Sequence, residues 1–217
     1  TPSGLKTADD KPVGGFTEVI PTIGALVSNG KDAGKTLSAL ISELKAAGFG
    51  IAAIVESLLA NGYGAEDVAA VLKNQGETAL VIGLALRIAG VDNQDVYNML
   101  VSMFSADAGQ IASVFQPKLG GDNTIRRTAS ELVTTLAGLG VSDTRDLALA
   151  LHVQNYTVNE AASALWNLYS ANTAKRGEIG SSLTDAGYAP YDVIRAVLSI
   201  GGNPNWNSAR TAWPELF

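Results

Sequence analysis

The chain has no cysteine, one histidine, two methionines and three tryptophans in 217 residues. Without cysteine there is no disulfide, no thiolate metal site and no cysteine nucleophile. His152 alone cannot furnish zinc, which takes several histidine or cysteine ligands. Charge is scarce as well: 17% of residues are charged, against about a quarter in ordinary globular chains. The balance is acidic, at −6, so a phosphate backbone is repelled unless a local basic patch overrides it. Arg126-Arg127 and Lys175-Arg176 are the adjacent basic pairs, and they make no such patch. We therefore expect no nucleic-acid partner. No apolar run reaches the roughly eighteen uncharged residues of a membrane span; the nearest, Thr78 to Val91, is shorter and carries Arg87. Aromatic residues make up 6% of the chain, too little for a deep aromatic pocket.

What the sequence does have is a beat. Leu44–Gly48, Leu58–Gly62, Leu72–Gly76 and Leu86–Gly90 all fit Leu-x-x-x-Gly and follow one another every fourteen residues. Looser copies lie at Leu26–Gly30, Leu136–Gly140 and Leu183–Gly187. Glycine just past an apolar run stops a helix, because the residue there takes a left-handed conformation that costs glycine least. A train of stops predicts a train of short helices. Two stretches agree position by position at a separation of twenty-eight: Leu58 to Leu72, and Leu86 to Leu100. A third begins at Leu183 and reaches Asp192 in the same register. The unit is helix, glycine turn, acidic start, helix. Fourteen is also two heptads, but Gly62-Tyr63-Gly64 and Gly90-Val91-Asp92-Asn93 each cluster helix-poor residues, which argues against one long coiled coil.

These patterns predict an all-α chain of about a dozen short antiparallel helices, stacked as hairpin repeats in a solenoid-like array or compact bundle. Residues 1–15 read as an extended N-terminal arm. The beat occupies 16–116, a hinge loop follows at 117–123, a second helical region spans 124–202, and an aromatic tail closes the chain at 203–217. The first helix is expected to end at Asn29-Gly30. Leu80, Ile82, Leu84, Leu86 and Ile88 are dense enough to predict burial on most sides. Beyond the hinge the helices are expected to be longer: Ile125 to Leu139, Thr144 to Val153, Val158 to Ala171 and Arg176 to Asp185. Pro190 suits the first turn of a last helix.

Few side chains invite chemistry. Asn29 to Thr36 is one residue short of a phosphate-binding loop, with Asn29 in the place of the first glycine and a helical pattern rather than a strand before it. His152 has Asp143 and Asp146 nearby in sequence, but no serine stands in a nucleophile elbow. Glu56, at the edge of an apolar stripe, is the carboxylate of most interest; acid–base hydrolysis needs a second acid opposite it. Asp92 to Asp95 and Gly121-Asp122-Asn123 lack the spacing of a calcium loop and read as helix caps. Asn155-Tyr156-Thr157 fits a glycosylation acceptor. We assign no catalytic, cofactor-binding or metal-ligating residue.

The tail is the strongest hint. Trp206, Trp213 and Phe217 put large apolar area into a stretch with no clear helical period, and such anchors dominate interfaces. We expect a non-enzymatic structural or interaction protein, a self-assembling subunit forming filaments or rings through its terminal segments. The alternative is a monomeric helical-repeat module binding a peptide, glycan or lipid, with Tyr63, Tyr97, Tyr156, Trp166, Tyr169 and Tyr188 in a groove. A carboxylate-based hydrolase is the third reading. The chain opens at Thr1, which suits a processed, trimmed or partial end. An Asn/Ser/Thr-rich, lysine-poor composition leads us to expect an extracellular, secreted product.

Overall fold

The structure, a computed structural model, describes residues 22–118 and 125–200. Over them it is all-α. Thirteen helices follow one another among the described residues: α1 (Ile23–Asp32), α2 (Leu37–Ala46), α3 (Ile51–Ala60), α4 (Ala65–Asn74), α5 (Ala79–Ile88), α6 (Asn93–Phe104), α7 (Ala108–Phe115), α8 (Ala129–Gly138), α9 (Thr144–Val153), α10 (Val158–Leu168), α11 (Thr173–Gly177), α12 (Ile179–Asp185) and α13 (Pro190–Ile200).

The fourteen-residue beat has a local cause at each end of the helix. N-caps stand at Thr22, Thr36, Gly50, Gly64, Thr78 and Asp92. The threonine hydroxyls accept the N–H three residues on, Thr36 from Ala39 at 3.2 Å, and so satisfy a donor the helix cannot. At the other end Gly34, Gly48, Gly62, Gly76 and Gly90 have φ between +70° and +88°. The residue after the glycine then donates its N–H to the carbonyl of the beat leucine: Phe49 to Leu44 at 3.1 Å, Tyr63 to Leu58 at 3.1 Å and Val91 to Leu86 at 3.0 Å. The glycine itself bonds one carbonyl further on, as Gly48 does to Lys45 at 3.0 Å. This is the Schellman closure. A cap, ten helical residues, a C-cap, the glycine and one linking residue make up the period.

Two details differ from the sequence expectation. Leu26–Gly30 is not a stop: Gly30 is buried inside α1, and the helix runs on to close at Gly34, with Lys35 N–H on the Gly30 carbonyl at 3.0 Å. Gly30 replaces the beat leucine because the space is taken; a Cβ there would lie 2.7 Å from Leu40 Cδ1. Conversely, Leu151–Asn155 is a beat without glycine. Asn155 holds φ at +56°, and Tyr156 closes on Leu151 at 3.1 Å; asparagine is the side chain best suited to replace glycine there.

Ten-residue helices are about 15 Å long and marginal alone. Stability has to come from stacking, and the stack has two rows. α1, α3, α5, α7, α9 and α12 pack in succession, each on the next; α2, α4 and α6 form a looser second row, and α8, α10 and α13 a tight one. Buried side chains from Val27 to Val197 belong to one apolar cluster, and α7 packs on both α8 and α9 across the 117–123 segment. The ends of that segment meet, Pro117 bridging Arg126.

The second region corrects the expected lengths. α8 begins at Ala129, leaving Ile125 outside it; α10 ends at Leu168; and the expected Arg176 to Asp185 helix is broken at Glu178 between α11 and α12. Capping explains the first: Thr128 and Glu131 form a reciprocal box, so the helix starts where both orphan donors are satisfied. Nor is α5 buried on most sides, since Leu80, Val81 and Ile88 are exposed.

Four cations reach from one hairpin to a helix end in a later one, while Arg127 donates back to the Phe115 carbonyl at the end of α7 (2.8 Å). Lys31 Nζ in the last turn of α1 donates to the Asn61 carbonyl at the end of α3 (2.6 Å) and lies 5.2 Å from the Tyr63 ring centre. Lys73 of α4 reaches the Met103 carbonyl of α6 and lies over Phe104. Arg87 of α5 donates to the Val114 and Pro117 carbonyls at the end of α7 and stacks on Phe115. Arg126 does the same to Gln154 and Tyr156 at the end of α9. Each places a positive charge at the negative end of a helix dipole, beside an aromatic face. Arg87 is buried, and burial first, then neighbouring Arg127, brings its pKa down to about 10.

Gly48→Ala should cost about 1–2 kcal/mol in urea unfolding, because the left-handed backbone stays while the Cβ penalty is added; an unchanged midpoint would contradict the closure. Arg87→Met should cost about 2–4 kcal/mol, since carbonyls lose a charged donor, whereas Lys31→Met, at the surface, should cost under about 1 kcal/mol. Hydrogen bonds from Lys118 and Thr128 hold the Glu131 carboxyl near 2, below the 4.5 of the unfolded chain. Its stabilisation is thus complete above pH 4.5 and disappears as pH falls towards 2. Glu131→Gln should flatten the acid limb of a stability–pH curve over that window.

Candidate functional site

Repeat proteins act through the surfaces their stacks leave open, and three such surfaces stand out among the described residues. The first is the α1/α2 end. A groove of about 340 Å³ runs between the two helices, floored by Leu26, Leu40 and Leu44, with Ala33 and Ala47 at its mouth and the Lys35–Glu43 ion pair (2.6 Å) at its edge. Its meaning comes from the register. One repeat on, Ala33 becomes Asn61 and Ala47 becomes Gln75. Asn61 accepts from Lys31, and Gln75 Nε2 donates to Ser42 Oγ at 3.1 Å and the Ser38 carbonyl at 3.2 Å. The groove is therefore the face that, on α3/α4, the preceding hairpin covers. Leu26 is only half-buried where its counterpart Ile54 is fully buried.

The second surface is a stripe on α5. Leu80, Val81 and Ile88 are 41%, 37% and 46% exposed, and half-buried Leu84 lies between them at helical spacing. The dense apolar run had signalled burial; instead Ile82, Gly83, Ala85 and Leu86 are buried and the excess apolar residues are exposed. The third is a cleft of about 300 Å³ between the start of α4 and α6, which brings Glu66 and Asp95 together with Asn98 and Ser102 over Met99.

The chain matches no family model, no curated protein and no solved structure. The site must therefore be read from its own geometry.

The residues singled out in the sequence are spread rather than gathered. Trp206, Trp213 and Phe217 lie outside the described residues, as do the 1–15 arm and Gly121-Asp122-Asn123. Glu56 is exposed on α3 and lines none of the three surfaces. Asp143 caps α9, accepting from Arg145 N–H at 2.8 Å. His152 sits in the last turn of the same helix, edge-on to Tyr188 with ring centres 4.8 Å apart. Nine residues of helix put the two roughly 13 Å apart along the axis, so no Asp–His pair forms there. Partial burial, then Asp143, pushes the Asp146 carboxyl up, but it stands on the opening turn of that helix. The loop that approximates a phosphate binder is the closure of α1, preceded by helix; Lys31 and Lys35 are both engaged with protein groups.

Asp92 caps α6 and Asn93 Oδ1 accepts from Arg87 Nε at 3.3 Å, so these oxygens serve the protein. Among the described residues no group of three or more metal-ligating side chains converges. The Asn155-Tyr156-Thr157 triplet has three structural tasks: the left-handed turn, a Tyr156 hydroxyl on the Arg127 carbonyl, and the cap of α10. Tyr156 is buried, and Tyr63, Tyr97, Trp166, Tyr169 and Tyr188 pack half-buried against the core. Tyr188 is held up to about 12, by burial first and then by the charge of Glu160.

Sequence reasoning passed over the Ala33–Ala47 groove and the cation ties. A signal for two of the ties existed: Lys73 and Arg87 each directly follow a beat leucine. A Val81→Lys/Ile88→Lys double variant should keep its stability within about 0.5 kcal/mol and lose most binding of an apolar fluorescent dye. Undiminished dye fluorescence would show that the α5 stripe is not the exposed apolar patch.

Proposed function

We propose that this chain is a non-enzymatic structural subunit, secreted, that associates with copies of itself through its terminal regions. The observation that carries this reading is the α1/α2 face. A repeat array that ends as a soluble monomer closes each end with a polar face. Here the first described hairpin leaves a groove over half-buried Leu26 in the register where its successor receives another hairpin. Contacts between unlike ends propagate as filaments or close as rings. The lack of cysteine and the sparse charge suit such a subunit without requiring it.

A second reading, a monomeric module that binds an apolar peptide or lipid, is favoured by the α5 stripe, which lies away from the α1/α2 groove. Light scattering over a hundredfold concentration range, with negative-stain imaging of the same sample, separates the two. Mass rising with concentration, and rings or filaments in the images, is the expected result. A constant single-chain mass would sink the assembly reading and put the α5 stripe first.

A further inference from the structure

Helices α2, α4 and α6 start twenty-eight residues apart, so the α2/α4 and α4/α6 contacts are two copies of one arrangement. In the first copy the protein closes the cleft itself. Gln75, at the end of α4, turns back and donates from Nε2 to the Ser42 hydroxyl at 3.1 Å and the Ser38 carbonyl at 3.2 Å. In the second copy Met103 stands for Gln75, Ala70 for Ser42 and Glu66 for Ser38. Met103 packs on the core, and α4 lies more loosely on α6 than on α2. The cleft of about 300 Å³ stays open.

The chemistry of the cleft changes with its closure. Half-buried Val91 and buried Met99 lie beneath it, and exposed Glu66, Asp95, Asn98 and Ser102 form its rim. No lysine or arginine lines it. Among the described residues neither carboxylate enters an ion pair or a hydrogen bond. An acid in a first helical turn already answers the helix dipole, so two carboxylates alone mark nothing. The neighbouring cleft is what points to a ligand: there the same positions receive an N–H donor on a flexible side chain. With Glu66 in place of Ser38 the acceptor is anionic, and a charge-assisted bond favours a cationic donor. A bare metal ion does not fit, since no third ligand converges among the described residues.

We propose that the α4/α6 cleft binds a lysine or arginine side chain of a basic partner polypeptide. The cationic head sits between Glu66 and Asp95, with Ser102 Oγ as a further acceptor, and the alkyl stem lies on Met99 and Val91. A polypeptide side chain is the matching occupant because Gln75 supplies one in the neighbouring cleft. The exposed rim leaves the ligand's main chain outside. This site is separate from the α1/α2 face and does not depend on self-association.

The test titrates the full-length chain with a capped dilysine peptide while NMR follows its amide signals. Shifts should gather on the Asn98 side-chain amide and on the backbone of Glu66, Asp95 and Ser102, and should shrink as salt is raised. The acetyl-lysine form of the peptide should not bind. Glu66→Gln/Asp95→Asn should weaken the dilysine peptide at least about tenfold. Asp32→Asn/Glu56→Gln makes the same change of charge at exposed positions outside the cleft, and should leave binding within about twofold. Ala70→Ser/Met103→Gln rebuilds the α2/α4 closure in the second cleft. It should also weaken the peptide at least about tenfold, with both carboxylates still in place. Far-UV circular dichroism checks that each variant folds as the parent does. No shift at millimolar peptide would overturn the proposal. So would shifts scattered over the acidic surface, or an equal loss in both charge variants, which would leave only a general attraction of an acidic chain for cations. Cadaverine, a free diamine of the same charge, binding as tightly as the peptide would overturn a polypeptide as the source.

Discussion

The structure depends on how its helices stop. A left-handed residue, glycine at most positions, serine at one and asparagine at one, lets the next N–H fold back onto the carbonyl of the beat leucine and turns the chain sharply. One linking residue later the next N-cap begins, so the antiparallel neighbour starts at once and lies against the helix just finished. The beat leucine is both the acceptor of that closing bond and a core residue: Leu44, Leu58, Leu72 and Leu86 are all buried. Turn geometry and core placement are thus set by the same residue. The period is regular because neither requirement can shift without the other.

Stacking then supplies what ten-residue helices lack. A buried leucine or isoleucine contributes about 1.5–3 kcal/mol, and the small residue Gly83 lets α5 approach α7 until a Cβ would lie 2.9 Å from the Val114 methyls. The cation ties add contacts between repeats. Lys31, Lys73, Arg87 and Arg126 each reach forward to a helix end in the next repeat and stack on its aromatic ring.

The sequence by itself determined the helical class, the fourteen-residue unit and most helix boundaries in the first region, because those follow from local chemistry: threonine and aspartate caps, glycine closures and apolar spacing at Leu58, Leu72 and Leu86. It misled where one residue served a distant partner. Gly30 looked like a stop but makes room for Leu40, and Asn155 took a glycine's place. Leu80 and Ile88 looked buried because periodicity reports how many apolar faces a helix has, not how many neighbours it will find. Only the tertiary structure decided that Ala33 and Ala47 stand in the register of covered residues, since that equivalence is defined by what Lys31 and Gln75 touch two helices away. Contacts of that range are not encoded in local spacing; they exist only once the rows are stacked.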